Sequence, residues 1–505
     1  MTRAGESEAT TYDIAMIVPL VFLAIFLIIL TKPFKELIGR IVVYIYPRRH
    51  QFGRGGSASF GGIFEDWAAR HKKGFILIGA SLYEGFNFLF SFKPNGYFVG
   101  QHVEDGVITI ANNRGGKGRS AIIPNLIGWP HSALVIDPKG TNCAVTAARR
   151  GKGGGRVKKS LGQEVYIVDP FNEVTQNSAC FNPLDAIDLN SIELKEDIGQ
   201  ISEAIVSQDK GGLYGDHFTS NAKKIVSGVI AHLLTTTNNA TLLDVQRSLT
   251  LPGNDQNQFY RDMMNNQGAA RMPVTAATIL RDAGDNERGS FFTTVKDNTD
   301  WIDSLAMKEI LGRSSFKLSD LKNGNTTVYI VLPPHYLKLH QRFMRMFVNL
   351  SLMEMCRQPK AKNQVLYIMD EFFSLGYLES LETASGILAS YKVKLWPILQ
   401  DISQIKRNYP DSFYTFFANS GIMQFFSISD QPTKEFLKQE LSKKAYGKVV
   451  IHLREASELD EELASDSGRQ IVVRRGKKPL LLRRTNYDAM FSKKMYNPDP
   501  DHPKS

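Results

Sequence analysis

The chain is poor in cysteine: 505 residues carry three, Cys143, Cys180 and Cys356, far apart from one another. Their spacing fits neither a disulfide framework nor a thiolate metal site, and it suits a reducing compartment for the bulk of the chain. Bias of composition is also lacking. With 43% hydrophobic and 22% charged residues, disorder is excluded as the main state. The formal net charge of +10 and the pI near 9.2 permit an anionic partner, nucleic acid or membrane, without requiring one. A length of 505 residues exceeds one small core, so two or three domains are expected.

Long uncharged runs are scarce too, and one stands out. Residues 14–31 carry no charge and are just long enough to cross a bilayer as a helix, with Pro19 in the first turns where it costs least. A signal peptide is disfavoured, because Glu6, Glu8 and Asp13 accompany Arg3 and no small-residue cleavage site follows. A buried core helix is the alternative. Lys32, Lys35, Arg40, Arg48, Arg49 and Arg54 follow the run, which predicts a single-pass membrane protein with its N-terminus outside and its bulk in the cytoplasm. Leu37–Tyr46 is apolar but broken by Arg40, too short for a second span. The expected organisation is a membrane anchor over 1–50, a Gly/Ser-rich linker over 51–74, an α/β domain in two parts, 75–190 and 316–490, an all-α domain over 191–315 between them, and a polar tail over 491–505.

Within the first part, Phe75–Gly79 reads as a strand leading toward a loop of unusual composition. Val107–Ile110 is a β-branched run, Ala111–Ser120 (Ala-Asn-Asn-Arg-Gly-Gly-Lys-Gly-Arg-Ser) carries glycines and a lysine, and Ala121–Ile127 reads as a short helix. Strand, glycine-bearing loop and helix is the context in which backbone N–H groups cradle phosphates. Gly115 and Gly116 allow the tight turn, and Lys117 supplies a full positive charge beside the helix N-terminus. Asn113, Arg114, Gly118, Arg119 and Ser120 complete the candidate loop. The match to a P-loop is loose. Ala111 stands in the first glycine slot and Gly118 in the slot of the metal-binding hydroxyl, with Ser120 two residues on. Taken alone, an ordinary Gly-rich turn with a solvated lysine explains it as well.

Further strands are predicted at Ala133–Asp137 and Val165–Val168. Asp137 lies where open α/β sheets place their ligands, or merely caps a turn before Pro138. Arg149–Lys159 is a basic, Gly-rich loop suited to phosphates or acidic headgroups, or simply solvated. Helical periodicity then predicts Leu194–Val206, Thr219–Leu234, Thr241–Ser248, Gln256–Asn266 and Val274–Ile279. Strand patterns return at Thr326–Leu332, followed by an amphipathic helix over Gln341–Met355.

Val365–Met369 runs into Asp370-Glu371, two adjacent acids after a buried strand. That is what an ATPase needs beside its phosphate loop: Asp370 to hold Mg²⁺ and Glu371 to polarise the attacking water. An N-cap reading explains one acid and not both. Gln400 ends the next strand, Val393–Leu399, where its amide can sense a γ-phosphate or simply terminate the strand. Arg407 on the following helix is a candidate to reach a neighbouring subunit's nucleotide, against the plainer reading of a surface charge. A strand at Gly421–Ser427 and a hairpin of Arg469–Val473 and Leu480–Arg484 finish the pattern.

These stretches together resemble the conjugative coupling proteins of type IV secretion systems, the TraG/TraD-like family. The likeness is carried by the lysine loop, Ile123–Ile127, Trp129-Pro130, Val135–Gly140, Cys180–Leu184, Asp370-Glu371-Phe372 with Leu375-Gly376, Gln400–Gln404, and Phe417–Gly421 through Ser429-Asp430. It runs in the family's order from the apolar run to about residue 490. Members are known with alanine in the first slot and glycine after the lysine. The resemblance implies an α/β, RecA-like P-loop ATPase domain with an inserted all-α domain, preceded by a transmembrane helix. It also implies ATP and Mg²⁺ as cofactors, a hexamer on the cytoplasmic face of the inner membrane, and delivery of a relaxase–DNA complex or protein substrates to components of the secretion channel. Many members carry two spans and some a long C-terminal extension, and neither is expected here. Two alternatives remain at this point: a non-hydrolytic membrane scaffold with a vestigial site, and a chromosomal or septal double-strand DNA translocase.

Overall fold

The computed structural model describes residues 75–80, 98–102, 104–206, 215–384, 386–442 and 456–502. The apolar run at 14–31 and the linker at 51–74 lie outside the described residues. Among the described residues, no helix is long and apolar enough to cross a membrane.

The centre is a parallel sheet of β3 (Gly106–Ile110), β4 (Ala133–Ile136), β5 (Glu164–Val168), β6 (Thr326–Ile330), β7 (Val365–Met369), β8 (Val393–Leu399) and β9 (Ser420–Phe425). Their spatial order is β9-β3-β8-β7-β4-β6-β5. Beyond β9 the sheet turns antiparallel through β10 (Arg469–Arg474), β11 (Leu480–Arg483), β1 (Ile76–Ala80) and β2 (Phe98–Gln101). The first expected strand therefore forms but does not lead to the lysine loop. It pairs with β2, which the pattern did not announce, and with the C-terminal hairpin.

The strands are apolar along their whole length because both faces are covered. On one face Val107, Ala133, Val135, Leu366, Ile368, Trp396 and Ile398 pack with the turn and helix that follow the loop, Gly118–Ile122 and α1 (Ile123–Gly128). On the other, Ile108, Ile110, Leu134, Ile136, Tyr367, Met369 and Leu399 pack against helices. Those helices fill the chain between β5 and β6. After α2 (Thr141–Arg150), which follows β4, they are α3 (Leu194–Ile205), α4 (Gly215–Thr236), α5 (Leu242–Leu249), α6 (Gly253–Asn265), α7 (Met272–Asp282), α8 (Asp285–Thr299) and α9 (Leu305–Leu311). α5 starts on a capping box between Thr241 and Asp244. α4 and α7 cross so closely at Gly228 that a Cβ there would stand 2.2 Å from Ala276 Cβ. α8 and α9 are additions to the expected set; α8 is polar on most of its surface, so periodicity hides it. The apolar core of this helical insertion is continuous with that of the sheet, joined through α10 (Gln341–Cys356).

The basic stretch expected as a loop from Arg149 is different in kind. Arg149 and Arg150 are the last residues of α2. Arg150 is fully buried; its Nη1 donates to Leu126 O and Trp129 O at 2.9 and 3.0 Å, its Nη2 to His131 O at 2.6 Å, and its Nε to Thr327 Oγ1 at 2.7 Å. Burial lowers its pKa to about 10, which leaves it cationic at neutral pH. Arg149 donates to Ile127 O and Lys159 O, and Arg156 donates to Tyr496 O while lying 4.9 Å from that ring's centroid. The segment expected as a polar tail is packed in part: Tyr496 is fully buried, and Asn497 N donates to Val145 O on α2.

Arg150 thus ties the end of α1, the turn into β4 and strand β6 in one knot. Arg150→Ala should destabilise the protein by roughly 3 kcal/mol or more, because it strands buried carbonyls and leaves a cavity. Arg150→Lys should recover only part of this, since one ammonium does not span the same acceptors. Urea denaturation of the purified protein followed by circular dichroism measures both; an Arg150→Ala midpoint equal to wild type would contradict the assignment.

Candidate nucleotide site

Four adjacent strands, β3, β8, β7 and β4, end side by side at their carboxyl termini. Neighbouring parallel strands lie about 4.8 Å apart, so residues at successive strand ends share one cleft. β3 runs into the lysine loop, β8 into Gln400, β7 into Asp370-Glu371 and β4 into Asp137. Two backbone bonds lock the alignment beyond the strands: Ala111 N donates to Leu399 O at 3.0 Å, and Asp370 N to Ile136 O at 3.3 Å.

The loop is shaped by its glycines and by what lies behind it. Gly116 has φ +85°, and Arg114 also adopts the left-handed region, at φ +59°. Gly115 is held for space: a Cβ there would stand 2.9 Å from both Asn112 O and Ser427 Cβ. Asn113 and Arg114 form the exposed crest. Asn112 N donates to Ser427 O, and its side chain donates to Ser429 Oγ at 2.5 Å. The helix after the loop opens with a wide, π-type turn over Gly118–Ile122, a deviation that recurs at functional sites. Lys117 Nζ is buried without a hydrogen-bond partner. An ammonium out of water and unpaired is costly, and an anion in the cleft removes that cost.

The acids face it. Burial raises the Asp370 carboxyl to about pKa 6, with Lys117 acting in the opposite sense and Glu371 adding repulsion. Asp137 is raised to about 7, mainly by burial, against the Cys143 N–H, with repulsion from Asp370 contributing. Asp137 accepts from Cys143 N at 2.7 Å and from Asn142 Nδ2 at 3.1 Å, so it caps the start of α2 while its charge still bears on Asp370. Glu371 is held in a left-handed conformation, φ 55°, which costs a non-glycine residue about 1 kcal/mol or more. Its carboxylate accepts from Gln400 Nε2 at 3.0 and 3.4 Å, and Gln400 N in turn donates to Gln404 Oε1 at 2.9 Å. The glutamine amide is thereby coupled directly to the acid.

The residues fit a divalent cation beside a polyphosphate. Two carboxyls whose pKa values are raised mainly by burial lose their protons when a divalent cation binds beside them, and the unpaired Lys117 ammonium fits an anion. The Gly118 position offers no hydroxyl. Ser120 Oγ donates back to Gly116 O at 2.8 Å, which occupies its proton and leaves its lone pairs. Arg119 is engaged by Asp488 at 2.8 Å, and Arg407 is exposed at the end of α12 (Ile402–Asn408), which follows α11 (Glu379–Ala384), with its guanidinium 5.1 Å from the Phe373 ring centroid. Of the residues expected from the sequence, the lysine loop, Asp137, Asp370, Glu371 and Gln400 converge; Arg119 and Arg407 have other partners. Asn142, Ser427, Ser429 and Arg484 belong to the site's frame and escaped the sequence reading as site residues, since their contacts with the loop and Asp137 depend on the fold; Arg484 bonds the loop from 369 positions away.

A family profile described as type IV secretory system conjugative DNA transfer matches residues 67–485. A conjugal transfer protein TraG of Escherichia coli is 30% identical over 329 residues, 61% of this chain and 50% of that protein. Protein VirD4 of Rhizobium radiobacter is 25% identical over 407 residues, 75% of this chain and 56% of that protein. The chain thus spans about half the length of the curated relatives it matches. Among solved structures, the plasmid coupling protein TrwB in complex with the GTP analogue GDPNP superposes with a TM-score of 0.63 at 13% identity, covering 86% of this chain and 94% of that one. TrwB in complex with ADP and Mg²⁺ gives 0.62 over the same shares, again at 13% identity. At that identity the likeness establishes the α/β fold with its large mixed sheet.

Because the folded protein holds protons on Asp370 and Asp137 that the unfolded chain releases near pH 4, these two acids lower stability as pH rises from about 4 through 6 and 7. Asp370→Asn should therefore raise the melting temperature of the nucleotide-free protein most at pH 8 and by clearly less at pH 5, where only part of the loss has accrued. Added Mg²⁺ should stabilise wild type at pH 8 and not the variant. Thermal melts at the two pH values, with and without Mg²⁺, check this.

Proposed function

We propose that this chain, which belongs to the type IV secretory system conjugative DNA transfer family, is a nucleotide-driven coupling ATPase. The observation that carries the reading is the convergence of Lys117, Asp370, Glu371 and Gln400 on adjacent strand ends, with the lysine ammonium buried and unpaired. Its relatives' names, conjugal transfer protein and plasmid coupling protein, support the wider role: passing a relaxase–DNA complex or a protein substrate to a secretion channel. Anchoring in the inner membrane through residues 14–31 and assembly as a hexamer belong to the same proposal. The complexes of TrwB with nucleotides and with Mg²⁺ support ATP as the nucleotide and Mg²⁺ as its ion.

The residues divide the work. Lys117 and the loop amides bind the β- and γ-phosphates. Asp370 would hold the metal, with Asp137 behind it. A metal bound there would supply charge neutralisation for the phosphates. Glu371 Oε takes a proton from the attacking water, and its strained backbone fixes the direction of that carboxylate. Gln400 donates to Glu371 in this state; departure of the γ-phosphate changes what its amide has to bond. That gives the end of β8 and α12 a means of responding to hydrolysis. A neighbouring subunit's arginine, for which Arg407 is a candidate in exchange for its ring contact, completes the site in a ring.

Lys117→Ala should weaken nucleotide binding and abolish turnover. Glu371→Gln should keep nucleotide binding while lowering kcat by about a hundredfold or more. Steady-state ATPase of the purified protein, with and without single-stranded DNA, measures both, and donor-strain transfer assays read the biological step. Wild-type protein that binds nucleotide but never turns it over would replace this reading with a scaffold whose site is vestigial.

A further inference from the structure

A cation absent from the expected set reaches the phosphate loop. Arg484 follows β11 at the end of the C-terminal hairpin. Its Nη1 donates to Gly115 O at 2.5 Å and its Nη2 to Ser465 O at 2.6 Å, while its guanidinium lies 5.3 Å from the centroid of the Phe426 ring. The side chain is half-buried, with the bond to Gly115 O partly shielded from water and the bond to Ser465 O at the surface.

The bond to Gly115 O fixes a peptide plane. In a trans peptide the carbonyl and the following N–H point to opposite sides. With Gly115 O turned to Arg484, the N–H of Gly116 is turned the other way, and the φ of +85° at Gly116 carries the chain on to Lys117. A Cβ on Gly116 would stand 3.6 Å from Arg484 Nη1, so the guanidinium also lines the loop where a side chain would otherwise lie. Behind the loop, Gly115 is backed by Ser427. Further on, Asp488 engages Arg119 at 2.8 Å. Arg484 and Asp488 both lie just past β11, whose hairpin pairs with the parallel sheet through β10 on β9. A second grip from the same segment is what a clamp requires.

We infer that Arg484 is a positioning residue for nucleotide binding: by holding Gly115 O it presents the Gly116 N–H to the phosphates and ties the C-terminal hairpin to the phosphate loop. The inference rests on the nucleotide reading above. Arginine suits the role through its planar fork, which reaches two carbonyls while stacking on Phe426; a lysine makes at most one of these contacts well.

The test is a comparison of wild type, Arg484→Ala, Arg484→Lys and Lys117→Ala in the full chain, by titration with a fluorescent non-hydrolysable ATP analogue, by ATPase KM and kcat, and by melting temperature. Arg484→Ala should weaken analogue binding and raise KM by about tenfold, the loss of one charge-assisted hydrogen bond, with kcat at saturating ATP kept. Arg484→Lys should fall between the two. A merely structural arginine would lower the melting temperature and the active fraction, hence the apparent kcat, at an unchanged KM, and that pattern overturns the inference. Wild-type affinity in Arg484→Ala, with Lys117→Ala defective, overturns this inference alone. Failure of wild type to bind the analogue overturns the nucleotide reading and this inference with it. If Arg484→Ala does not fold, the Arg484→Lys variant decides: a several-fold higher KM supports the role and an unchanged one overturns it.

Discussion

Everything proposed for this protein depends on the register between four parallel strands. β3, β8, β7 and β4 are far apart in sequence, yet their carboxyl ends are level because the ladder bonds continue past the strands, from Ala111 N to Leu399 O and from Asp370 N to Ile136 O. A slip of one residue in β7 would turn Asp370 to the opposite face of the sheet. The register is enforced from both sides, since alternate residues of each strand are buried in two different cores, Val135, Ile368 and Ile398 in one and Ile136, Met369 and Leu399 in the other. Sliding any strand would exchange the two sets, and each set is packed to fit its own neighbours.

The electrostatics follow from that geometry. Burial takes Lys117, Asp137 and Asp370 out of water, and each is left with less compensation than its charge calls for. An apolar core would have been more stable. Under the proposed function, the arrangement is held ready for two ligands of opposite charge, an anion for the ammonium and a cation for the carboxylates. The left-handed backbone at Glu371 follows the same logic: local strain is tolerated because the sheet beneath over-determines the position. Around the rim, structural cations serve shape. Arg150 meets carbonyl oxygens and no carboxylate, and it knits α1, β4 and β6 together below the cleft. Part of the formal positive charge of the chain is thus internal and unavailable to an acidic partner.

Much of this was legible in the residues. β-branched runs marked the parallel strands, the glycines and lysine marked the loop, and the paired acids after an apolar run marked the opposite wall. Periodicity also recovered α3, α4, α5, α6, α7 and α10 to within a few residues at most ends. What went unread had physical reasons. β2 is short and sits at the sheet's antiparallel edge, and α8 is too polar to show a stripe. Arg149 and Arg150 looked like the start of a solvated basic loop, because a buried arginine paired with backbone carbonyls and a hydroxyl leaves no companion acid in the sequence. Arg119 looked like a phosphate ligand by position, and it is engaged by Asp488 from the far end of the chain.

The amino-acid order by itself determined the chemistry: which strand ends carry acids, where a lysine follows glycines, and which family the whole resembles. Those properties are local, set by side-chain type and by spacing within a few residues. The tertiary structure alone decided which of them meet. It placed Gln400 on Glu371, divided Asp137 between capping α2 and facing Asp370, turned Ser120 back on Gly116, and brought Arg484 to Gly115 O across 369 positions. The physical reason is that strand order in a parallel sheet is chosen by the packing of its two faces, which involves the whole chain at once and leaves no local mark on any of the residues it joins.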